Sequence, residues 1–308
     1  MWSAPAGDLC SSALHRRESY RRLNPFIPTL HSIFRTPRIP IGKRRESYMK
    51  YLSPLEAKHQ VGTRLVLTEG ALNPWCESAK AIFRLKNLPY LPVAQEPLGD
   101  NIALVEWTGI RNAPQAIYND EPPCSRWDQI LLLAERLASE VPLIPTAHLD
   151  RILMLGICQE ICGEQGFGWN VRLDKVEPLC RRMPSGDPTV NRIFKWSREY
   201  GYRPDQEGGG AIRAAATMEL LAEQLARQAK CRSSYLVGHD LSAADIYWAA
   251  FSAMVKPLPP SICPLDEPTR AMYRTNSEPI ALAMERWPQL FAHRDMIYAR
   301  YMPLPMTF

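Results

Sequence analysis

The sequence predicts an α+β protein: a small mixed sheet with helices packed on it, followed by an all-α helical part. Three observations carry this. Between Gly62 and Leu137, short runs of β-formers alternate with segments of helical period. Beyond a link bounded by Pro142 and Pro145, the pattern is almost wholly helical. Late in that part, the ten residues from Ile246 to Val255 are hydrophobic nearly all round, as a helix at the middle of a bundle is.

The elements follow in order. Thr63 to Thr68 (Thr-Arg-Leu-Val-Leu-Thr) is a short strand, and Glu69 to Leu72 a turn. Asn73-Pro74 opens a helix, with Asn as N-cap and Pro at the first helical position. Trp75, Ala79, Ile82 and Phe83 give it one apolar face. Pro89 disfavours a helical Leu88, so the helix stops near Lys86-Asn87. Leu88 to Ala94 is a second strand, and its prolines suit an edge. Residues 98–112 carry no decisive pattern. Gln115 to Tyr118 is a third strand, and Pro122-Pro123 leave little room for a fourth near Cys124. Trp127, Ile130, Leu131, Ala134 and Leu137 mark a second helix. In the helical part, Leu149, Ile152 and Leu153 share one face, and Ile212, Ala215, Met218, Leu221 and Leu225 share another. Ala283, Trp287, Leu290 and Phe291 belong to a late helix. Gly208-Gly209-Gly210 has no Lys-Ser/Thr after it, so it reads as a flexible connection and not a phosphate loop.

The chain's 308 residues suffice for about two domains. Its net charge of +5 is unevenly placed: residues 1–60 hold 11 Lys+Arg and 4 Asp+Glu, a net of +7, which leaves −2 for the rest. A nucleic-acid-binding core would cluster its basic residues on the fold itself, so that class is disfavoured. No apolar run approaches the roughly 20 residues of a membrane span. Residues 1–61 therefore read as a basic, Pro-rich arm that buries too little to order itself. Within it, Arg-Arg-Glu-Ser-Tyr occurs at Arg16–Tyr20 and again at Arg44–Tyr48. A disordered tail, an organelle-targeting presequence and a pair of basophilic-kinase sites all remain open for this arm. The eight cysteines have no framework spacing and fit free thiols in a reducing compartment. Cys158 and Cys162 are one helical turn apart, but no further ligands stand at metal-binding spacing, so they read as buried thiols and no metal is expected.

Three stretches could carry chemistry or fix the fold. Ser242-Ala243-Ala244-Asp245 is a capping box ahead of the apolar helix, with Leu241 and Ile246 placed as a hydrophobic staple. Asn73-Pro74-Trp75-Cys76 lies at a helix N-terminus, whose unpaired amides and partial positive charge stabilise a thiolate. Asn73 cannot act as a nucleophile, but its NH2 can donate to one. Cys76 stands where a Cys-x-x-Cys motif has its second cysteine, and the first is missing. That leaves one-thiol exchange by Cys76, activation by Asn73, or a plain N-cap beside a half-buried cysteine as open readings. Asn112-Ala113-Pro114 precedes the third strand.

In this setting the three stretches resemble soluble, cytosolic-type glutathione S-transferases, over about residues 62–300. The resemblance implies a thioredoxin-like glutathione-binding domain at 62–140 and an all-helical C-terminal domain at 147–308. It implies a cis Pro114, with Ala113 offering its backbone to the cysteinyl part of glutathione. It places Asn73 where several such enzymes carry a catalytic Ser or Cys. The family's Glu-Ser or Gln-Ser pair, which holds the γ-glutamyl group, aligns with Arg126-Trp127, so the glutathione-binding set becomes Ser125, Arg126 and Trp127. Trp169 and Arg172 would line the pocket for an apolar electrophile. The implied function is glutathione transfer, in glutathione metabolism and detoxification, in the cytoplasm or in an organelle. A homodimer is a common assembly of such chains. Two other functions remain open: a non-catalytic binding or assembly module on this fold, and a Cys76-dependent glutathione thiol reductase.

Overall fold

The computed structural model describes residues 49–182, 188–203 and 208–308. The α/β part comprises α1 (Pro54–Ala57), β1 (Thr63–Thr68), α2 (Pro74–Leu85), β2 (Leu91–Gln95), α3 (Ile102–Thr108), β3 (Gln115–Tyr118) and α4 (Trp127–Leu137). The strand order is β2-β1-β3. β1 runs parallel to β2, with Val66 opposite Val93, and antiparallel to β3, with Leu65 opposite Ala116. A parallel pair needs a crossover, and α2 supplies it. All six residues of β1 are buried, as a central strand covered on both faces requires. Cys124 makes only an isolated bridge to Ala116 where a fourth strand had little room. The segment without a pattern holds α3, closed by Gly109 in the left-handed conformation (φ 75°).

Residues 49–61, expected to lie within the arm, carry structure instead. Leu52 bridges to the outer side of β2: its N–H donates to the Pro92 carbonyl (2.9 Å) and its carbonyl accepts from Ala94 (3.0 Å). Ser53 and Glu56 then form a capping box for α1, whose Ala57 is fully buried. An edge strand leaves unpaired backbone groups, and Leu52 satisfies two of them. Residues 1–48, with both Arg-Arg-Glu-Ser-Tyr copies, lie outside the described residues.

The remainder is helical: α5 (His148–Cys162), α6 (Phe167–Arg182), α7 (Pro188–Glu199), α8 (Gly209–Lys230), α9 (Ala243–Ser252), α10 (Glu267–Arg274), α11 (Glu278–Arg286) and α12 (Gln289–Tyr301). Every residue of α9 is buried, and the helix packs against α2, α5 and α12. One continuous hydrophobic core joins the two parts, from Leu65 in β1 to Ile297 in α12. The Asp245 carboxylate, with no exposed surface, anchors the start of α9. It accepts from Ser242 N (2.9 Å), Ser242 Oγ (2.9 Å) and Leu236 N (2.8 Å), and it meets His293 Nε2 at 2.9 Å.

Three helical expectations change. The late helix is two, because Trp287 precedes Pro288 and leaves helical geometry (φ −122°, ψ 57°). The Gly208–Gly210 run does not link helices loosely; it opens α8, with Gly208 at φ 76° as N-cap. A Cβ on Gly210 would lie 2.8 Å from the Asn170 carbonyl, so α8 and α6 approach too closely there for a side chain. Leu149, Ile152 and Leu153 do share a face of α5, but it is the exposed one; Met154, Ile157, Cys158 and Ile161 face the core. No described helix is long and apolar enough to cross a membrane. The described cysteines are all free, and Cys158 and Cys162 are buried. Among the described residues no His, Cys, Asp and Glu cluster could hold a metal ion.

Candidate functional site

The site starts from one amide. Asn73 caps α2 through Oδ1, which accepts from Trp75 N (3.1 Å). Its Nδ2 donates to Thr68 Oγ1 at the end of β1 (2.9 Å) and reaches the Ala113 carbonyl at 3.5 Å. Thr68 Oγ1 in turn donates to Gln95 Oε1 (3.0 Å), and Gln95 Nε2 donates to the Glu96 carbonyl (2.9 Å). This chain of donors fixes which end of the Asn73 amide is NH2. The Thr68 proton is committed to Gln95, so Thr68 can only accept from Asn73. The Ala113–Pro114 peptide is cis. The start of α2 and the loop ahead of β3, 40 residues apart, therefore meet at Asn73.

The geometry runs against Cys76 as a nucleophile. Its thiol lies against Thr68 of β1, is 2% exposed, and accepts from Thr68 N at 3.4 Å. Burial pushes its pKa up to about 11, more than the Thr68 hydrogen bonds lower it. A thiol both shielded and protonated at neutral pH does not enter exchange. In α2 it occupies the face that covers the sheet, where a small apolar side chain is required.

At the start of α4, Gln129 Oε1 accepts from Ser125 N (3.2 Å) and Arg126 N (3.3 Å), and so serves the orphan amides there. Arg126 extends into solvent and forms two 3.0 Å bonds to Asp128. Trp127 turns towards the helical part. Its ring packs edge-on against Tyr247 at 5.7 Å, and its carbonyl accepts from Tyr247 Oη (3.1 Å). Of the three side chains expected to hold the γ-glutamyl group, Trp127 is committed to helix packing, and Arg126 already has a carboxylate.

Trp75 projects from the first turn of α2 into the helical part. Its Nε1 donates to the Cys162 carbonyl (2.8 Å), and its ring meets Phe251 of α9 edge-on at 4.6 Å. Gly168 makes this approach possible, since a Cβ there would stand 2.3 Å from Phe251 and 3.2 Å from Trp75. Arg172, one turn along α6, lies over three rings: Trp75 (5.2 Å), Trp196 (5.2 Å) and Tyr200 (5.6 Å). Trp169 packs on Tyr200 at 4.6 Å and donates Nε1 to the Tyr200 carbonyl. Arg111, just before the Ala113 loop, pairs with Glu199 at the end of α7 (2.5 Å). These contacts form an aromatic cluster beside the α2 N-terminus, with Trp169 and Arg172 both in it.

No family model matches the chain, and no curated protein does. Solved structures match it over most of its length. A glutathione S-transferase from Methylobacillus flagellatus KT, with glutathione bound, is 14% identical and superposes with a TM-score of 0.53 over 78% of this chain and 96% of its own. The fold is that of the glutathione transferases. The beta-etherase LigF from Sphingobium sp. strain SYK-6 gives 17% identity and a TM-score of 0.53 over 78% of this chain and 96% of its own. A glutathione S-transferase from Methylobacterium radiotolerans JCM 2831, in complex with glutathione sulfonate, gives 14% and 0.51 over 80% and 98%.

Sequence reasoning missed Thr68, Gln95, Trp196 and Tyr200. Thr68 and Gln95 gave no local sign, because their partnership is made across the parallel pair β1–β2. Trp196 and Tyr200 are four apart, and Trp169 and Arg172 three apart, so each pair shares a helical face. That spacing was the available signal.

Proposed function

We propose that the chain is a glutathione transferase that holds the glutathione thiol at the N-terminus of α2 and delivers it as thiolate to an electrophile at the aromatic cluster. The observation that supports this most is the Asn73 amide, one proton on Thr68 and the other on a long 3.5 Å contact to Ala113. The second proton is weakly held and can turn to a thiolate seated between Asn73 and the Ala113 backbone. A hydrogen bond to a charged group is worth about 1.5–3 kcal/mol. At about 1.4 kcal/mol per unit, that lowers a thiol pKa by about 1–2 units. The helix N-terminus acts in the same direction. No general base is needed: the thiol proton leaves to solvent, sulfur bonds to the electrophilic carbon, and the leaving group departs with its electron pair. Ala113 would hold the cysteinyl backbone. Ser125 and Arg126 would hold the γ-glutamyl end, with Arg126 shared between that group and Asp128.

A second reading keeps the fold as a binding or assembly module without turnover. The Arg126–Asp128 pair and the Thr68 bond to Asn73 favour it, since both occupy groups that the transferase needs. Calorimetric titration with glutathione and a conjugation assay with an activated aryl halide separate the two. Binding with Asn73-dependent turnover supports the transferase, and binding without turnover selects the module. Absence of binding refutes the transferase and leaves the module with a pocket that is vestigial or retuned to another ligand.

A further inference from the structure

Arg172 differs from the buried arginines Arg64, Arg270 and Arg294. Arg270 donates to the Leu258 and Cys263 carbonyls. Arg64 donates to Gln60, Gly62 and Asn119, and Arg294 to Asp295 and Lys256. Arg172 has only ring faces: Trp75, Trp196 and Tyr200 flank the guanidinium, and its Nε is buried without a partner. Among the described residues, none hydrogen-bonds or ion-pairs with it. Cation–π contact compensates the faces of the guanidinium but leaves its buried Nε–H unsatisfied and its outer N–H groups to solvent. Arg172 and its three rings are each only half-buried, so the cluster keeps an open side. It also adjoins the start of α2, because Trp75 belongs to that first turn and Tyr273, whose Oη donates to the Leu72 carbonyl (3.4 Å), lies in the field of Arg172.

We infer that Arg172 is the receptor for a carboxylate on an aromatic co-substrate, whose ring packs among Trp75, Trp196 and Tyr200. The guanidinium fork matches a carboxylate bidentately, and the rings beside it offer apolar surface to an arene at the cluster's open side. The electrophile is thus not simply apolar: it is an arene that carries an acid. That the ligand is an electrophile rests on the transferase reading; the anion site itself does not.

The test is calorimetry of the full chain with 1-naphthoate and with its uncharged analogue 1-naphthamide, alongside a glutathione titration. The naphthoate binds about tenfold or more tightly than the amide, the scale of one charge-assisted bidentate contact. Arg172→Met, or Arg172→Gln should the first variant not fold, brings the two affinities together. Equal affinities in the unaltered protein, absence of binding by both, or a preference that survives in the folded variant overturns the inference. Loss of glutathione binding with the naphthoate preference intact sinks the transferase reading alone. Glutathione binding without that preference sinks the Arg172 site alone.

Discussion

Replacing Asn73 separates two roles that one side chain combines. Its Oδ1 caps α2 on Trp75 N, and its Nδ2 donates inward to Thr68 and Ala113. Asn73→Asp keeps the capping oxygen and adds a charge that the helix N-terminus favours, but it has no donor. Asn73→Ala loses both. The alanine variant should lose about 1–3.5 kcal/mol of stability, its cap and the Thr68 bond together. The aspartate variant should lose only the Thr68 bond, about 0.5–1.5 kcal/mol, partly offset by the dipole. Catalysis orders them differently. Without the donor, the thiolate forfeits about 1.5–3 kcal/mol, so both variants conjugate about 10- to 100-fold more slowly near neutral pH. The donor stabilises the charged form, hence lowers the thiol pKa. Removing it returns that pKa towards about 8.5, and the deficit of Asn73→Ala should shrink as pH rises past that value. The deficit of Asn73→Asp should persist, since its carboxylate repels the thiolate. The assay is the pH profile of glutathione conjugation beside urea melts of all three proteins. An Asn73→Ala rate equal to that of the unaltered protein near neutral pH, or a deficit independent of pH, refutes the reasoning.

Two further outcomes test the frame around the site. Iodoacetamide near neutral pH should modify the exposed Cys231 and spare Cys76, whose thiol burial raises to about 11, and peptide mapping reads the ratio. Equal labelling of the native protein would reopen thiol chemistry at Cys76. Asp245→Ala strands the buried Leu236 and Ser242 amides, and should cost about 3–5 kcal/mol in urea unfolding, well beyond an ordinary surface substitution.

Much of the fold was legible along the chain. The strand at Thr63–Thr68, the helix opened by Asn73-Pro74 and the apolar helix after Ser242 each carry their own cap or period. Pro288 was equally plain as a breaker, yet the apolar spacing of Ala283 to Phe291 runs through it, and continuous periodicity hid two helices. Ser53-x-x-Glu56 was a readable capping box inside what passed for an arm. Its importance came from Leu52 adding to the edge of β2, a contact no local pattern announces.

The sequence by itself determined the order of elements, the start of α2 at Asn73 and the centrality of Ile246–Val255, because caps and hydrophobic period act over a few residues. Only the tertiary structure decided what those residues face. It turned Cys76 into the core, committed Trp127 to Tyr247, and gathered Trp75, Arg172, Trp196 and Tyr200 from three helices and a turn. Burial, pKa and hydrogen-bond partnership depend on neighbours distant in the chain, and those are set by how helices and strands pack, not by their own composition.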